Sequence, residues 1–300
     1  MSMTICDAHT HFFSHIFFST LLGQAGAAPE HLEKLRDEAG IELPSQDTAA
    51  HTQRWIAELD RYDIRAAVSF ASVPPEGPTV LEASKLGGDR LIPYLTCDPT
   101  RPEGVEATVK GLRQGARGVL LFPAMQRFDP SSTLLDPIYE EARSHRAPVV
   151  VHCGVLQIKL RDLLGVRPQY DLRFATPLAV SAAAERHRDV IFVLPHFGGG
   201  FFAEALLAGA QSRNVWVDTS SSNSWMATQP QPLCLDEVFA RSLAVFGPER
   251  ILFGTDSSTF PRGWRHDVFE EQAAALERLD VEGAAKRRLL GENLAELLEL

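Results

Sequence analysis

Eight short apolar runs punctuate the chain, each followed by a stretch that reads as a helix. The runs are TICDAHTH (4–11), AAVSFAS (66–72), LIPYLTC (91–97), ARGVLLF (116–122), PVVVHCG (148–154), VIFVLPH (190–196), NVWVDTS (214–220) and RILFGTD (250–256). Most are apolar without interruption, as expected for strands buried on both faces of a parallel sheet. The helices between them run from TQRWIAELDRY (52–62) to VFEEQAAALERL (268–279). Strict strand–helix alternation eight times over predicts an α/β fold: a closed (β/α)8 TIM barrel, with residues 1–300 as one domain. A doubly wound open sheet would use fewer units and a Gly-rich phosphate turn. The one glycine run, HFGGG (196–200), does not match G-x-G-x-x-G.

One connection is too long. From His11 to Ala66 is 55 positions, although the single helix at 52–62 would serve as the crossover. The excess, residues 13–50, carries FSHIFFSTLLG and a helix, PEHLEKLRDEAG. Insertions after a barrel strand sit at the active-site mouth, so this one is expected either to form a lid or to add a packing helix.

Composition narrows the partners. Lys and Arg number 29 against 39 Asp and Glu, a net charge of −10. That balance disfavours nucleic acid and anionic membranes, which call for a basic face, but leaves room for a small anionic substrate in a local pocket. No apolar run approaches the roughly 18–20 residues of a membrane span, and no basic region precedes the first strand. The four cysteines form no C-x-x-C pair, so reduced thiols in a cytoplasmic protein are expected.

The first run poses the sharpest question. Asp7, His9 and His11 alternate within an apolar stretch, and on a strand alternate side chains share a face. Buried polar groups need partners, and a metal ion is one. His9 and His11 end the first strand, His152 the fifth, His196 the sixth and Asp256 the eighth. In a barrel these carboxyl ends form the catalytic face. A lone buried histidine is more often a core residue, but independent core histidines have no reason to gather on one rim. Four imidazoles and a carboxylate there describe a divalent metal site with an acid–base group beside it. Zn²⁺ suits such donors best, with Mn²⁺ or Fe²⁺ acceptable.

The segments DAHTH, VVVHCG, LPHFGG and ILFGTDS resemble the metal-site motifs of the amidohydrolase superfamily. The chain is most similar to the amidohydrolase-related (amidohydrolase 2) group, which includes aminocarboxymuconate-semialdehyde decarboxylase. FDPSSTLLDPIYEEARSHRAPVVVHCG (128–154) and LLGENLAELL (289–298) extend the likeness over nearly the whole chain. The resemblance implies one divalent ion held by His9, His11, His152 and Asp256, with His196 as the acid–base group beside it. It also implies a homodimer. Many binuclear superfamily members place a carboxylated Lys at the end of strand four. Here that strand reads GVLLFP, so a single metal is expected.

Two chemistries fit that ligand set. A hydrolase would use Asp256 to take a proton from a metal-acidified water, with His196 steadying the oxyanion or protonating the leaving group. A non-oxidative decarboxylase of an aromatic or muconate-type acid would use Asp256 or His196 to deliver a proton to carbon. Hydrolysis of a small carboxylated or aromatic molecule is the leading expectation. Candidate substrate contacts are Arg173, Arg262 and Arg265 for a carboxylate, and Trp225, Met226, Phe12, Phe13 and His15 as apolar walls. Asp7 reads as a buried partner rather than a ligand.

Overall fold

In the computed structural model, which describes residues 3–28, 30–166, 170–220 and 225–300, the apolar runs become eight parallel strands in sequential order. They are β1 (Ile5–His11), β2 (Ile64–Phe70), β3 (Leu91–Cys97), β4 (Gly118–Leu121), β5 (Val149–Val151), β6 (Phe192–Leu194), β7 (Val215–Asp218) and β8 (Ile251–Leu252). Three backbone hydrogen bonds join the first strand to the segment after the last: Ala8 N to Phe253 O (2.8 Å), Asp256 N to His9 O (2.8 Å) and His11 N to Ser257 O (2.7 Å). The sheet thereby curls into a (β/α)8 TIM barrel, as the alternation predicts.

Helices cover the outside. In chain order they are α1 (His15–Ala25), α2 (His31–Ala39), α3 (Thr48–Arg61), α4 (Gly77–Gly87), α5 (Pro102–Arg113) and the single turn α6 (Pro123–Gln126). There follow α7 (Asp136–Ser144), α8 (Lys159–Leu163), α9 (Pro177–Arg186), α10 (Phe202–Gln211), α11 (Leu235–Phe246) and α12 (His266–Arg278). Two short helices, α13 (Gly283–Arg287) and α14 (Asn293–Leu298), complete the chain. No described helix is long and apolar enough to cross a membrane.

The two faces of the sheet explain the unbroken apolar runs. Val68, Phe70, Tyr94, Leu120, Val150 and Val193 fill the barrel, and Leu294 and Leu298 of α14 pack with them. Ala67, Leu121, Val151, Leu194, Val217 and Phe253 point outward into the layer shared with the helices. Neither face meets water, so alternation carries no hydrophobic signal.

One local expectation fails. The pairing of β1 with β2 shifts register between Asp7 and Thr10. Such an irregularity breaks the two-residue period, so the side chain of Asp7 does not share a face with His9 and His11. Asp7 turns outward, fully buried, and accepts four hydrogen bonds. They come from His9 N (2.9 Å), Thr255 N (3.1 Å), Thr255 Oγ1 (2.5 Å) and Trp264 Nε1 (2.8 Å). Burial pushes its carboxyl up to about 6 against the pull of those donors. Asp7 is thus the rivet between β1 and the β8 loop. Asp7→Ala would strand buried donors at about 1–3 kcal/mol each, partly offset by losing a buried charge. The expected cost is about 2–4 kcal/mol in urea unfolding, and a change below about 0.5 kcal/mol would refute the role.

The 13–50 insertion folds as α1 and α2, ahead of an α3 whose first turn is capped by Asp47 accepting from Ala49 N at 2.8 Å. Phe17, Phe18, Leu21 and Leu35 of the insertion pack against Val73 and against Leu160 of α8. Two excursions, one after β1 and one after β5, therefore meet over the carboxyl end of the barrel.

Candidate metal centre

The strands are shorter than the apolar runs because their carboxyl ends leave the ladder to build this rim. β5 stops at Val151 and β6 at Leu194, which frees His152 and His196 from strand geometry. His196 and Asp256 adopt left-handed backbone conformations, with φ of 57° and 58°. Such angles cost a non-glycine residue roughly 1–2 kcal/mol, and strain of this kind concentrates at functional sites. Gly154 (φ 74°) and Gly199 (φ 57°) let the fifth and sixth loops touch. A Cβ on Gly154 would lie 1.9 Å from the carbonyl oxygen of Gly199. That close approach sets the His152 and His196 rings 5.2 Å apart.

The barrel seam brings the rest together. Asp256 Oδ1 lies 3.2 Å from His11 Nε2 and 3.8 Å from His9 Nε2. Donor atoms of His9, His196 and Asp256 all fall within 4.8 Å of one another. Each ring is oriented from behind. His9 Nδ1 donates to Asp218 Oδ2 (2.8 Å), and His196 Nδ1 to the carbonyl oxygen of Ser220 (2.9 Å). A carbonyl only accepts, so the proton of His196 sits on Nδ1 and its Nε2 lone pair is free. His11 Nδ1 is 2.6 Å from Ser72 Oγ. The Ser72 backbone N–H donates to the fully buried Glu76 at 2.7 Å, and Ser14 N to the same carboxylate at 2.6 Å. Glu76 therefore locks the start of α1 to the loop that orients His11.

Sequence reasoning missed Asp218, Ser220, Ser72 and Glu76. Asp218 offered the same signal as the histidines, a charged residue ending an apolar strand. The serines and Glu76 carry no pattern of their own; only folding reveals which ring they face.

Burial disfavours charge on the imidazoles. It drives His152 well below the ordinary range, aided by His196 and His9, and lowers His11 and His196 as well. On His9 burial is outweighed by Asp218, which raises it. Burial alone would raise Asp256; the His11 hydrogen bond and the His9 charge overturn that and hold it far below the carboxylate range. Neutral His11, His152 and His196 beside an ionised carboxylate are in the protonation states that metal ligation requires, and His9 would give up its second proton to an incoming ion while keeping the one that faces Asp218.

These residues fit a divalent ion. His152 Nδ1 is buried with no hydrogen-bond partner, a costly omission unless something else takes the lone pair. Imidazole nitrogen with one carboxylate oxygen suits Zn²⁺ or Mn²⁺. The mutually close donor set among the described residues, His9, His196 and Asp256, has His196 where the sequence predicts His11 and His152.

A cavity of about 460 Å³ opens from this cluster, walled by Phe13, Phe17 and Ile41 from the insertion side and by Leu156 and Leu160 from the segment after β5. Of the predicted substrate contacts, Arg262 lines it. The structure does not bring Phe12, Arg173 or Trp225 there. Phe12 follows His11, so it points to the opposite face, where it is buried against His51. Arg173 is exposed and paired with Asp171 at 2.6 Å. Trp225 is buried against Phe202. Of the others, Phe13 lines the cavity, whereas Arg265 pairs with Asp267 at 2.8 Å.

A TIM barrel with an imidazole–carboxylate cluster at the carboxyl ends of its strands defines a class of metal-dependent barrel enzymes. The family model described as Amidohydrolase matches residues 6–300, and the chain belongs to that family. Its members are enzymes, hydrolases and decarboxylases among them, and bind a divalent metal. No curated protein sequence matches the chain. Several solved structures do. One is 5-carboxyvanillate decarboxylase from Sphingomonas paucimobilis, at 12% identity over 100% of both chains and a TM-score of 0.68. Another is the 5-carboxyvanillate decarboxylase of Novosphingobium aromaticivorans, complexed with manganese and a hydroxy-methoxy-nitrobenzoic acid. It has 14% identity, covers 100% of this chain and 97% of that one, and has a TM-score of 0.65. A probable 2-pyrone-4,6-dicarboxylic acid hydrolase from Acinetobacter baumannii, with citric acid bound, has 15% identity, covers 99% and 100%, and has a TM-score of 0.60. At these identities the likeness establishes the fold.

Proposed function

We propose that this chain is a metal-dependent hydrolase of a small carboxylated or aromatic substrate. His9, His11, His152 and Asp256 would hold one divalent ion, Zn²⁺ first and Mn²⁺ second, and His196 would face the reacting group. Such an ion supplies Lewis-acid polarisation of a carbonyl and acidifies water. The observation that carries the reading is the place of Asp256, whose Oδ1 lies 3.2 Å from His11 Nε2 at the head of the cavity, where a carboxylate can take a proton from water. The proton on His9 faces Asp218 and that on His196 Nδ1 faces the Ser220 carbonyl, which leaves His196 Nε2 free to accept one. Asp256 would take the proton from water and pass it to the free Nε2 of His196, which would deliver that same proton to the leaving group. The α1–α2 insertion acts as the lid.

The two chemistries separate in H₂¹⁸O. Aromatic and unsaturated esters, lactones and acids are incubated with the zinc-loaded protein, and products are read by mass spectrometry. Hydrolysis places one ¹⁸O in the product acid without releasing CO₂. Release of CO₂ with no label in the organic product would overturn the reading in favour of a carboxy-lyase.

A further inference from the structure

Among the described residues two arginines are almost fully buried, and they are treated in opposite ways. Arg250 is 7% exposed and donates to the carbonyls of Phe246 (3.0 Å), Gly209 (2.9 Å) and Val245 (2.8 Å), a structural arginine fully satisfied by backbone. Arg161, on α8, is 8% exposed, yet its guanidinium has no hydrogen-bond or ion-pair partner among the described residues. The neighbouring phenol of Tyr170 is likewise buried and unpartnered. Arg161 lines the cavity that opens from the imidazole cluster. Lys159 and Arg262 line it too, and among the described residues the one acidic side chain on its wall, Asp256, belongs to the metal cluster. A guanidinium stays charged at any ordinary pH, and this one faces the cavity with no carboxylate among the described residues paired to it. A chain of net charge −10 has therefore placed unneutralised positive charge inside one pocket.

We infer that Arg161 is a specificity-determining anion anchor, and that the substrate carries a carboxylate remote from its reacting group, which docks on this guanidinium. The fork of an arginine matches a carboxylate bidentately. Phe13, Phe17 and Leu160, which line the same cavity, suit a flat, unsaturated or aromatic skeleton. The reacting end would sit on the barrel and the anchored end on the roof made by α8 and the insertion. This inference rests on the proposed metal site for the position of the reacting end.

The test is calorimetric binding of matched acids to zinc-loaded protein: benzoate against phthalate, isophthalate and terephthalate, and butyrate against glutarate. At least one diacid is expected to bind tenfold or more tightly than its monoacid. Arg161→Gln should erase that gain while leaving the monoacid within twofold, and Arg161→Lys should keep part of it. Melting curves of both variants verify folding. No gain for any pair, or a gain that survives Arg161→Gln, overturns the anchor. Zinc content of each sample keeps the two readings apart. A gain without bound zinc would sink the metal site alone, whereas bound zinc without a gain would sink the anchor alone.

Discussion

His9→Ala is expected to cost about 3–5 kcal/mol of folding free energy in metal-free protein, besides emptying the metal site. The reason lies behind the ring. Asp218 is fully buried, and one carboxylate oxygen has His9 Nδ1 at 2.8 Å as its partner. The other oxygen accepts from the backbone of Ser220 (3.0 Å) and His196 (3.1 Å) and from the Ser220 hydroxyl. Without the imidazole, a desolvated carboxylate keeps its charge and loses its counter-group, the costly half of breaking a buried pair. His11→Ala supplies the contrast. Its ring is 14% exposed, is backed by a neutral hydroxyl, and faces in Asp256 a carboxylate that is 13% exposed and can be hydrated from the cavity, so its loss should cost less, about 1–2 kcal/mol. Urea unfolding of chelator-treated proteins measures both without contribution from metal binding. Equal costs for the two variants would contradict this account of Asp218.

Asp256→Asn should lower turnover by about 10²–10⁴-fold on whichever substrate the wild type hydrolyses, the range for losing a positioned general base. Stability should change little, within about 1 kcal/mol, because Asn is among the few residues that tolerate the left-handed backbone required at φ 58°. The substitution keeps the side chain's size and removes its ability to take a proton. A variant retaining more than a tenth of wild-type turnover would rule out Asp256 as the base. His196→Ala makes a useful companion, since the proposal has it keep bound metal while losing turnover.

Much of this was legible in the sequence, and the reasons differ by element. The eight strands were visible because burial on both faces leaves uninterrupted apolar runs. The five polar residues stood out because each ends such a run. The irregularity in β1 was not legible: nothing in ICDAHTH marks where the pairing slips, so Asp7 read as sharing a face with His9 when it points away. Substrate contacts failed for a related reason. Loop position alone does not say whether Trp225 faces a cavity or a core, and Phe12 lost its place to the neighbouring Phe13 through simple alternation. Arg161 drew no notice in the sequence because its meaning depends on what surrounds it after folding. A charged residue in QIKLRD reads as an ordinary solvated one until burial shows otherwise.

The central claim is that His9, His11, His152 and Asp256 grip a common cation. The most direct measurement is anomalous diffraction at the zinc edge from crystals of the zinc-loaded protein. One strong peak bonded to those four side chains, with His152 no longer orphaned, is the predicted result. A peak that His152 and His11 do not touch, or no peak among these residues at all, would contradict it.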